Sequence, residues 1–393
     1  MVGEIMGKNL IKTAIAEIFG EMAQALETGS IAKSCRVGLT VLGSDHGPEE
    51  LVRGAELAQK QDPNIQVVII GSGVETQLET VAALDEREAH AAMDEMLLNH
   101  SLDAAVTMHY NFPIGVSTVG KVITPGKGQE LFLATTTGTS ATERITAMLR
   151  NTIYGIAVAK ACENPKPTVG VLNIEGARQV ERALKKLKAG GYQIDFAESA
   201  RSDGGIVMRG NDLLLGVPDV MVNDSLTGNV LMKVFSAYST GGTYEAVGSG
   251  YGPGVGEDYD RIICIVSRAS GAPVIAGAIR FAANCAKGNL RQKAKAEFAA
   301  AKKAGWETIV KSLSANALPS KQDDEKVAVS PSKKAVTDSI PGVEVMQLED
   351  AVQVLWKAGI YAECGMGCTG PIVMIAPEDR ERALELLKAK EYL

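Results

Sequence analysis

Two cysteines, Cys364 and Cys368, stand in the run AECGMGCTGPIVMIA at 362–376, where three glycines surround them ahead of an apolar stretch. Glycine lets backbone amides turn toward a sulfur, and such a nest lowers a thiol pKa and stabilises an oxyanion on an attached acyl group. On that reading Cys368, followed by Thr369 and Gly370, is the preferred acyl carrier, with Cys364 beside Gly365 and Gly367 as the alternative. A glycine turn whose cysteines merely fill small spaces, or a redox pair, would account for the same pattern. The other four cysteines, Cys35, Cys162, Cys264 and Cys285, lie in apolar segments and read as inert packing thiols. No His, Cys and Asp grouping has zinc spacing, and a C-x3-C pair without further ligands does not make an iron–sulfur site, so no metal is expected.

Four other stretches combine glycine with hydroxyl or amide side chains: GSDHG at 43–47, GSG at 71–73, TTTGTS at 135–140 and NDSLTGN at 223–229. Each follows a predicted strand. In open parallel sheets ligands bind beyond the carboxyl ends of the strands, and free amides at helix starts favour an oxyanion. Any one of these loops alone is explained by ordinary helix caps, but four on one presumed edge point to a phosphate site. The candidate phosphate ligands are Thr136, Thr137, Gly138, Thr139, Ser140, Asn223, Asp224, Ser225, Thr227, Gly228 and Asn229. His109 and His46, at strand ends, are candidate general bases, with His109 preferred, whereas His90 and His100 fall on a helix-like segment and read as surface residues. Neither the G-x-G-x-x-G fingerprint nor a P-loop lysine pattern is present. The glycine-rich GSGYGPGVGE at 248–257 suits a loop closing over a ligand and a plain connection equally well.

The elements that must carry these residues alternate. Short β-branched runs at 37–42, 66–71, 104–108, 131–137, 169–174, 219–224 and 262–267 are separated by segments of helical period at 48–60, 85–100, 141–162 and 177–188, the signature of βαβ units. The strands lack polar alternation, as expected for a parallel sheet covered on both faces. Residues 35–313 therefore form an α/β domain. The segment 314–342 is rich in Pro, Ser, Lys and Asp and reads as a flexible linker with a reach of about 30 Å. Residues 343–393 make a small C-terminal β-α-β-α module that carries the two cysteines. Residues 1–30 place Leu10, Ile11, Ile15, Ile18, Phe19, Met22 and Leu26 at helical spacing and read as a helical extension.

The 393 residues, 46% hydrophobic and 22% charged, describe an ordinary globular chain. A formal charge of −7 argues against nucleic acid as a partner, and no run is long and apolar enough for a membrane span. Scattered free cysteines and the lack of a signal peptide suit the cytoplasm.

The segments PKPTVGVLNIEG at 165–176, PDVMVNDSLTGNVLMK at 218–233 and TMHYNFPIGV at 107–116 resemble the bacterial phosphate acyltransferase family over roughly 35–287. That resemblance implies an α/β sandwich like those of isocitrate and isopropylmalate dehydrogenases, with a parallel or mixed sheet. The added ends, with ECGMGCTGPIVMIAPED in the tail, are similar to the family of component C alpha subunits of glycine/sarcosine/betaine reductase complexes. Membership there implies an acetyl thioester that inorganic phosphate releases as acetyl phosphate, without a further cofactor. It also implies two partners, the beta subunit of component C and a selenoprotein A carrying a carboxymethyl group. Two other functions remain compatible with the residues: a non-catalytic scaffold that keeps an acyltransferase fold, and a stand-alone acyl-acyl-carrier-protein:phosphate acyltransferase, against which the tail cysteines speak.

Overall fold

The computed structural model describes residues 34–200, 204–316, 328–341, 343, 348–367, 370–390 and 392–393. The expected N-terminal helical extension and Cys368 lie outside the described residues.

The chain opens with β1 (Cys35–Thr40), α1 (Pro48–Gln61), β2 (Ile65–Ile70), β3 (Glu79–Val81), α2 (Glu86–Leu98), β4 (Ala104–Thr107) and a two-residue β5 (Phe112–Pro113). The long strands β6 (Val116–Ile123) and β7 (Glu130–Thr139) come next, followed by α3 (Arg144–Ala161), β8 (Thr168–Leu172), α4 (Ala177–Ala189), β9 (Asp195–Phe196), β10 (Val207–Met208) and α5 (Gly210–Leu215). Then follow β11 (Val220–Val222), α6 (Ser225–Ala237), β12 (Gly252–Val255), β13 (Ile263–Ile265), α7 (Ala272–Lys287), α8 (Leu290–Lys303) and α9 (Trp306–Asn316). The tail comprises β14 (Asp338–Pro341), α10 (Leu348–Lys357), β15 (Ala362–Gly367), β16 (Gly370–Ile375) and α11 (Arg380–Ala389).

Local sequence explains the main elements. IQVVII in β2 buries nearly every side chain because helices cover both faces, and each fully buried Val or Ile contributes about 1.5–3 kcal/mol of transfer free energy. Proline at the first turn starts α1, and Asp85 caps α2 by accepting from the Glu88 amide at 2.8 Å.

Twelve strands form one mixed sheet in the order β10-β8-β11-β7-β6-β12-β13-β4-β1-β2-β3, with β9 beside β8. Apolar layers pack against its two faces. Among the described residues no helix is long and apolar enough to cross a membrane.

The pairing sense decides where sites can form. Strands β1, β2, β3, β4 and β13 run parallel to one another, as do β7, β8, β10 and β11. Between the two sets, β6 is antiparallel to both β7 and β12, and β12 is antiparallel to β13. The three reversals set the two parallel groups in opposite senses. Their carboxyl ends therefore open on opposite edges of the sheet, and the four loops expected on one edge are divided between two.

The tail is not joined through the linker alone. β14, β16 and β15 form an antiparallel sheet whose fourth strand is β5 of the main domain, with Gly365 opposite Pro113 and Met366 opposite Phe112. Part of the expected linker is therefore ordered sheet, since β14 falls within it. The expected glycine turn at Cys364 is likewise strand, because the glycines of ECGMG pair across to β16.

Candidate active cleft

β1 and β4 end side by side in threonines. Thr40 and Thr107 are 3% and 1% exposed, and the Thr40 hydroxyl donates to Thr107 Oγ1 at 2.8 Å. Thr107 in turn donates to the His109 carbonyl at 3.3 Å, and His90 Nε2 lies 3.0 Å from the same hydroxyl. Helix α2 carries His90 inward, so this residue is half-buried in the cleft and not on the surface as its helical setting suggested. Its ring meets that of His109 edge to face, with centroids 6.1 Å apart. His109 Nε2 lies 3.3 Å from Asn111 Oδ1. Burial holds both imidazoles below their ordinary pKa; the charge of His109 adds to the effect on His90, against which Asp94 and Glu86 pull upward. His46 is exposed beside Tyr244, and His100 is exposed at the end of α2.

These groups line a small pocket of about 10 Å³, with Gly43, Glu86 and Arg268 at its rim. Gly43 adopts φ +93°, a backbone conformation that favours glycine, beside the Glu86 carboxylate of α2. Arg268 lies 3.7 Å from Glu86 and is largely exposed. The loop 43–47 is fixed to the one after β13, because the Asp45 amide donates to the Arg268 carbonyl at 2.9 Å. Lys233 of α6 donates to Ser267 Oγ at 2.6 Å and to the buried Glu245 at 2.8 Å. One cation, Arg268, and the hydroxyls of Thr40 and Thr107 thus share a pocket with the two imidazoles. Glu86, His90 and His109 also line a groove of about 540 Å³ between the main domain and the tail, bordered on the tail side by Asp338, Glu363 and Met374.

The residues expected to bind phosphate lie on the opposite edge, at the ends of β7 and β11, and many of their polar groups are committed to the fold. TTTGT belongs to β7 itself, where a bulge at Thr135 and Thr136 shifts the register against β6. Thr136 donates to the Tyr251 carbonyl at 2.6 Å and Ser140 to Asn151 at 2.6 Å, and both are buried. Gly138 turns the chain at φ +85°. Asn223 donates to the Thr135 carbonyl at 2.6 Å and to the Asp224 carbonyl at 2.7 Å, while its buried Oδ1 has no partner among the described residues. Asp224 caps α6, accepting from the amide and hydroxyl of Thr227 at 2.9 and 3.0 Å and from Arg144 at 2.7 Å. A carboxylate thus holds the position where the sequence reading places an anion. Thr137, Thr139, Ser225 and Asn229 are half-buried on that edge, and Gly228 is packed against β7.

The thiols divide differently from the expectation. Cys264 and Cys285 are pushed up by burial, and Cys35 reaches about 12 for the same reason, as suits packing residues. Cys364 is also pushed up to about 12, first by burial and then by the charges of Glu349 and Glu363, which corrects the expected lowering. Strand alternation explains the change. Glu363 and Met374, directly opposed, line the groove, whereas Cys364 packs against the tail's own core with its thiol donating to the Leu348 carbonyl at 3.6 Å.

His90, Arg268, Thr40 and Thr107 escaped the sequence reading. SRASG at 267–271 follows a strand and has the Ser/Gly composition used to single out the other loops, so Arg268 was within reach of the same argument. The inward turn of His90 depends on which face of α2 meets the sheet.

Comparisons with known proteins show which proteins this chain is similar to. The family model described as fatty acid synthesis protein matches residues 35–374. The glycine/sarcosine/betaine reductase complex component C subunit alpha of Peptoclostridium acidaminophilum is 58% identical over 378 residues, covering 96% of this chain and 98% of that one. A phosphate acyltransferase of Anoxybacillus flavithermus is 25% identical over 240 residues, covering 50% of this chain and 70% of its own. Among solved structures, a branched-chain phosphotransacylase from Enterococcus faecalis aligns with a TM-score of 0.45 at 16% identity, over 64% of this chain and 99% of that one.

Proposed function

The chain belongs to the fatty acid synthesis protein family, alongside the alpha subunits of reductase component C, and from that premise we propose that it transfers an acetyl group from an enzyme-bound thioester to inorganic phosphate. The observation that carries the proposal is the 58% identity to a component C alpha subunit across almost the whole of both chains. The phosphate acyltransferase relatives supply the reaction class. In this reading the chain works in the cytoplasm in a glycine, sarcosine or betaine reductase complex, needs no cofactor, and receives its two-carbon unit from a selenoprotein A carrying a carboxymethyl group.

The beta subunit of component C is the proposed direct partner. A stripe along α6 and onto the residue that follows it supports docking of a partner subunit: Leu226, Val230, Val234 and Tyr238 follow an i, i+4 spacing and are each at least half exposed.

The cleft at the ends of β1 and β4 suits the chemistry. Phosphate held near Arg268 is positioned to attack, and proximity supplies much of the rate. A phosphate oxygen forms a bond to the thioester carbonyl carbon, the carbon–sulfur bond breaks, and sulfur leaves as thiolate. The cleft imidazoles, His109 among them, accept the phosphate proton and return it to sulfur. Cys368 is the proposed acetyl carrier of the tail, because Cys364 faces away from the groove.

The test uses the full-length chain assembled with its beta subunit. Acetyl phosphate should be hydrolysed on addition of arsenate, and an acetyl thioester should yield acetyl phosphate in proportion to phosphate. Full activity of the beta subunit alone, with none added by this chain, would make the chain a scaffold.

A further inference from the structure

We propose that His90, set in place by the buried Thr40–Thr107 pair, is the imidazole that takes the proton from the attacking phosphate, an assignment that rests on the acyl-to-phosphate reading above. The bonds around Thr107 carry the tautomer we infer for His90. Thr107 has one proton and two lone pairs; the proton goes to the His109 carbonyl at 3.3 Å and one lone pair accepts from Thr40 at 2.8 Å. With those two bonds made, what remains on Thr107 is an acceptor, and His90 Nε2, 3.0 Å away, would carry the ring proton. Nδ1 is then left with its lone pair, the form a general base needs.

Two threonines at the ends of adjacent strands, both almost wholly buried, hold this arrangement. His109 has a weaker anchor, with Nε2 3.3 Å from Asn111. Thr40 and Thr107 act as positioning residues, because they reach the reaction only through the His90 ring.

The charges facing His90 come from several elements. Glu86 and Asp94 share its helix, Asp94 being engaged by Arg261 at 2.8 Å and by Tyr110 at 2.9 Å. His109 faces it from the segment after β4, Arg268 stands at the rim after β13, and Glu363 and Asp338 border the groove from the tail. Burial keeps His90 neutral to lower pH than a free imidazole. In the step, a phosphate monoanion gives its proton to Nδ1 as its oxygen bonds to the carbonyl carbon. The C–S electron pair leaves with sulfur, which then recovers that proton from Nδ1.

Two measurements test this on the full chain in its component C assembly. With arsenolysis of acetyl phosphate as the assay, His90→Gln should lose about 10²–10⁴-fold in rate together with the acid limb of the pH profile. His109→Gln should keep the limb but move it to higher pH, because a neighbouring positive charge is removed. Thr107→Val should fall between His90→Gln and wild type, with Thr107→Ser restoring the rate. Because the chain has only four histidines, ¹⁵N-histidine NMR of the full-length protein reads the tautomer without any assay. Nε2–H at His90 is expected, and its loss in Thr107→Val. Wild-type-like rate and pH profile in His90→Gln, or Nδ1–H at His90, would overturn the assignment while leaving acyl transfer intact. A wild-type assembly inactive in arsenolysis would instead sink the parent reading, and the tautomer measurement would still decide how His90 is set.

Discussion

Gly365 in the cysteine-bearing tail stands opposite Pro113 of the main domain, so the tail's sheet is completed by a strand it does not itself contain. The Ile114 amide adds a bond to the Cys364 carbonyl at 3.4 Å. Strand addition supplies main-chain hydrogen bonds and holds a module in one register.

A protease site engineered between Ser320 and Glu325 should therefore leave two fragments that co-elute on gel filtration after cleavage. Ile114→Pro, which removes the donor at this junction, should let them separate. Separation of the fragments without that substitution would mean the strand pairing contributes little.

Gly228 illustrates how a helical glycine reverses its usual rule. Replacing glycine by alanine inside a helix ordinarily stabilises by about 0.5–1 kcal/mol. Here a Cβ would stand 1.7 Å from the Thr135 carbonyl and 2.4 Å from Asn223 Nδ2, so α6 would have to lift from β7. Gly228→Ala should destabilise by about 1–3 kcal/mol, read as a lower urea midpoint at unchanged slope.

Much of the fold is legible in the sequence because burial on both faces writes itself as unbroken apolar runs, as in IQVVII of β2. The sense of those strands is not. The reversals through β6 and β12 come from long-range pairings such as Val116 with Thr139 and Gly254 with Thr118, and a short-range pattern carries no trace of them. The loops at 43–47 and 223–229 therefore read as neighbours while standing on opposite edges. At the site, the position of His109 after a strand drew notice, while His90 looked like any polar residue on an amphipathic helix. ECGMG read as a turn because of its glycines, yet two-stranded pairing with PIVMI overrides that local preference.

The thiols give a direct chemical check. Cys364, raised to about 12 by burial and by nearby carboxylates, should resist iodoacetamide near neutral pH in the folded protein and react once urea unfolds it. Cys364→Ala should keep acetyl phosphate formation, whereas Cys368→Ala should abolish it if the carrier assignment is right. Rapid alkylation of Cys364 in the native protein, located by mass spectrometry, would contradict its inward placement.

Stability should fall on mild acidification. His90 and His109 have folded-state pKa values below the free imidazole value of about 6.5, so below that pH the unfolded chain binds more protons than the folded one. Their contribution is complete above about 6.5 and is lost as pH drops through the window down to the folded values. The carboxylates of Glu50, Asp62 and Glu79, also lowered, add a loss in the same direction at more acid pH. Urea midpoints at pH 7.5 and 5.5 should therefore differ more for wild type than for the His90→Gln/His109→Gln double variant. Equal differences would place the sensitive groups elsewhere.

Lys233 and Glu245 join the end of α6 to the loops beyond β13. Glu245 is 1% exposed, and it accepts from Lys233 at 2.8 Å and from Ser270 at 2.6 Å. Removing one partner of a fully buried pair costs about 3–5 kcal/mol, because the other charge is stranded. Lys233 is 48% exposed, so water screens part of that charge. With Ser270 still in place, Lys233→Met should cost about 1–3 kcal/mol, close to the penalty for leaving one buried acceptor under-satisfied. Adding Glu245→Gln removes the stranded charge while keeping an oxygen for Ser270, so the double variant should recover stability relative to Lys233→Met alone. A double variant less stable than the sum of the two single changes would show that Glu245 is held by something other than Lys233.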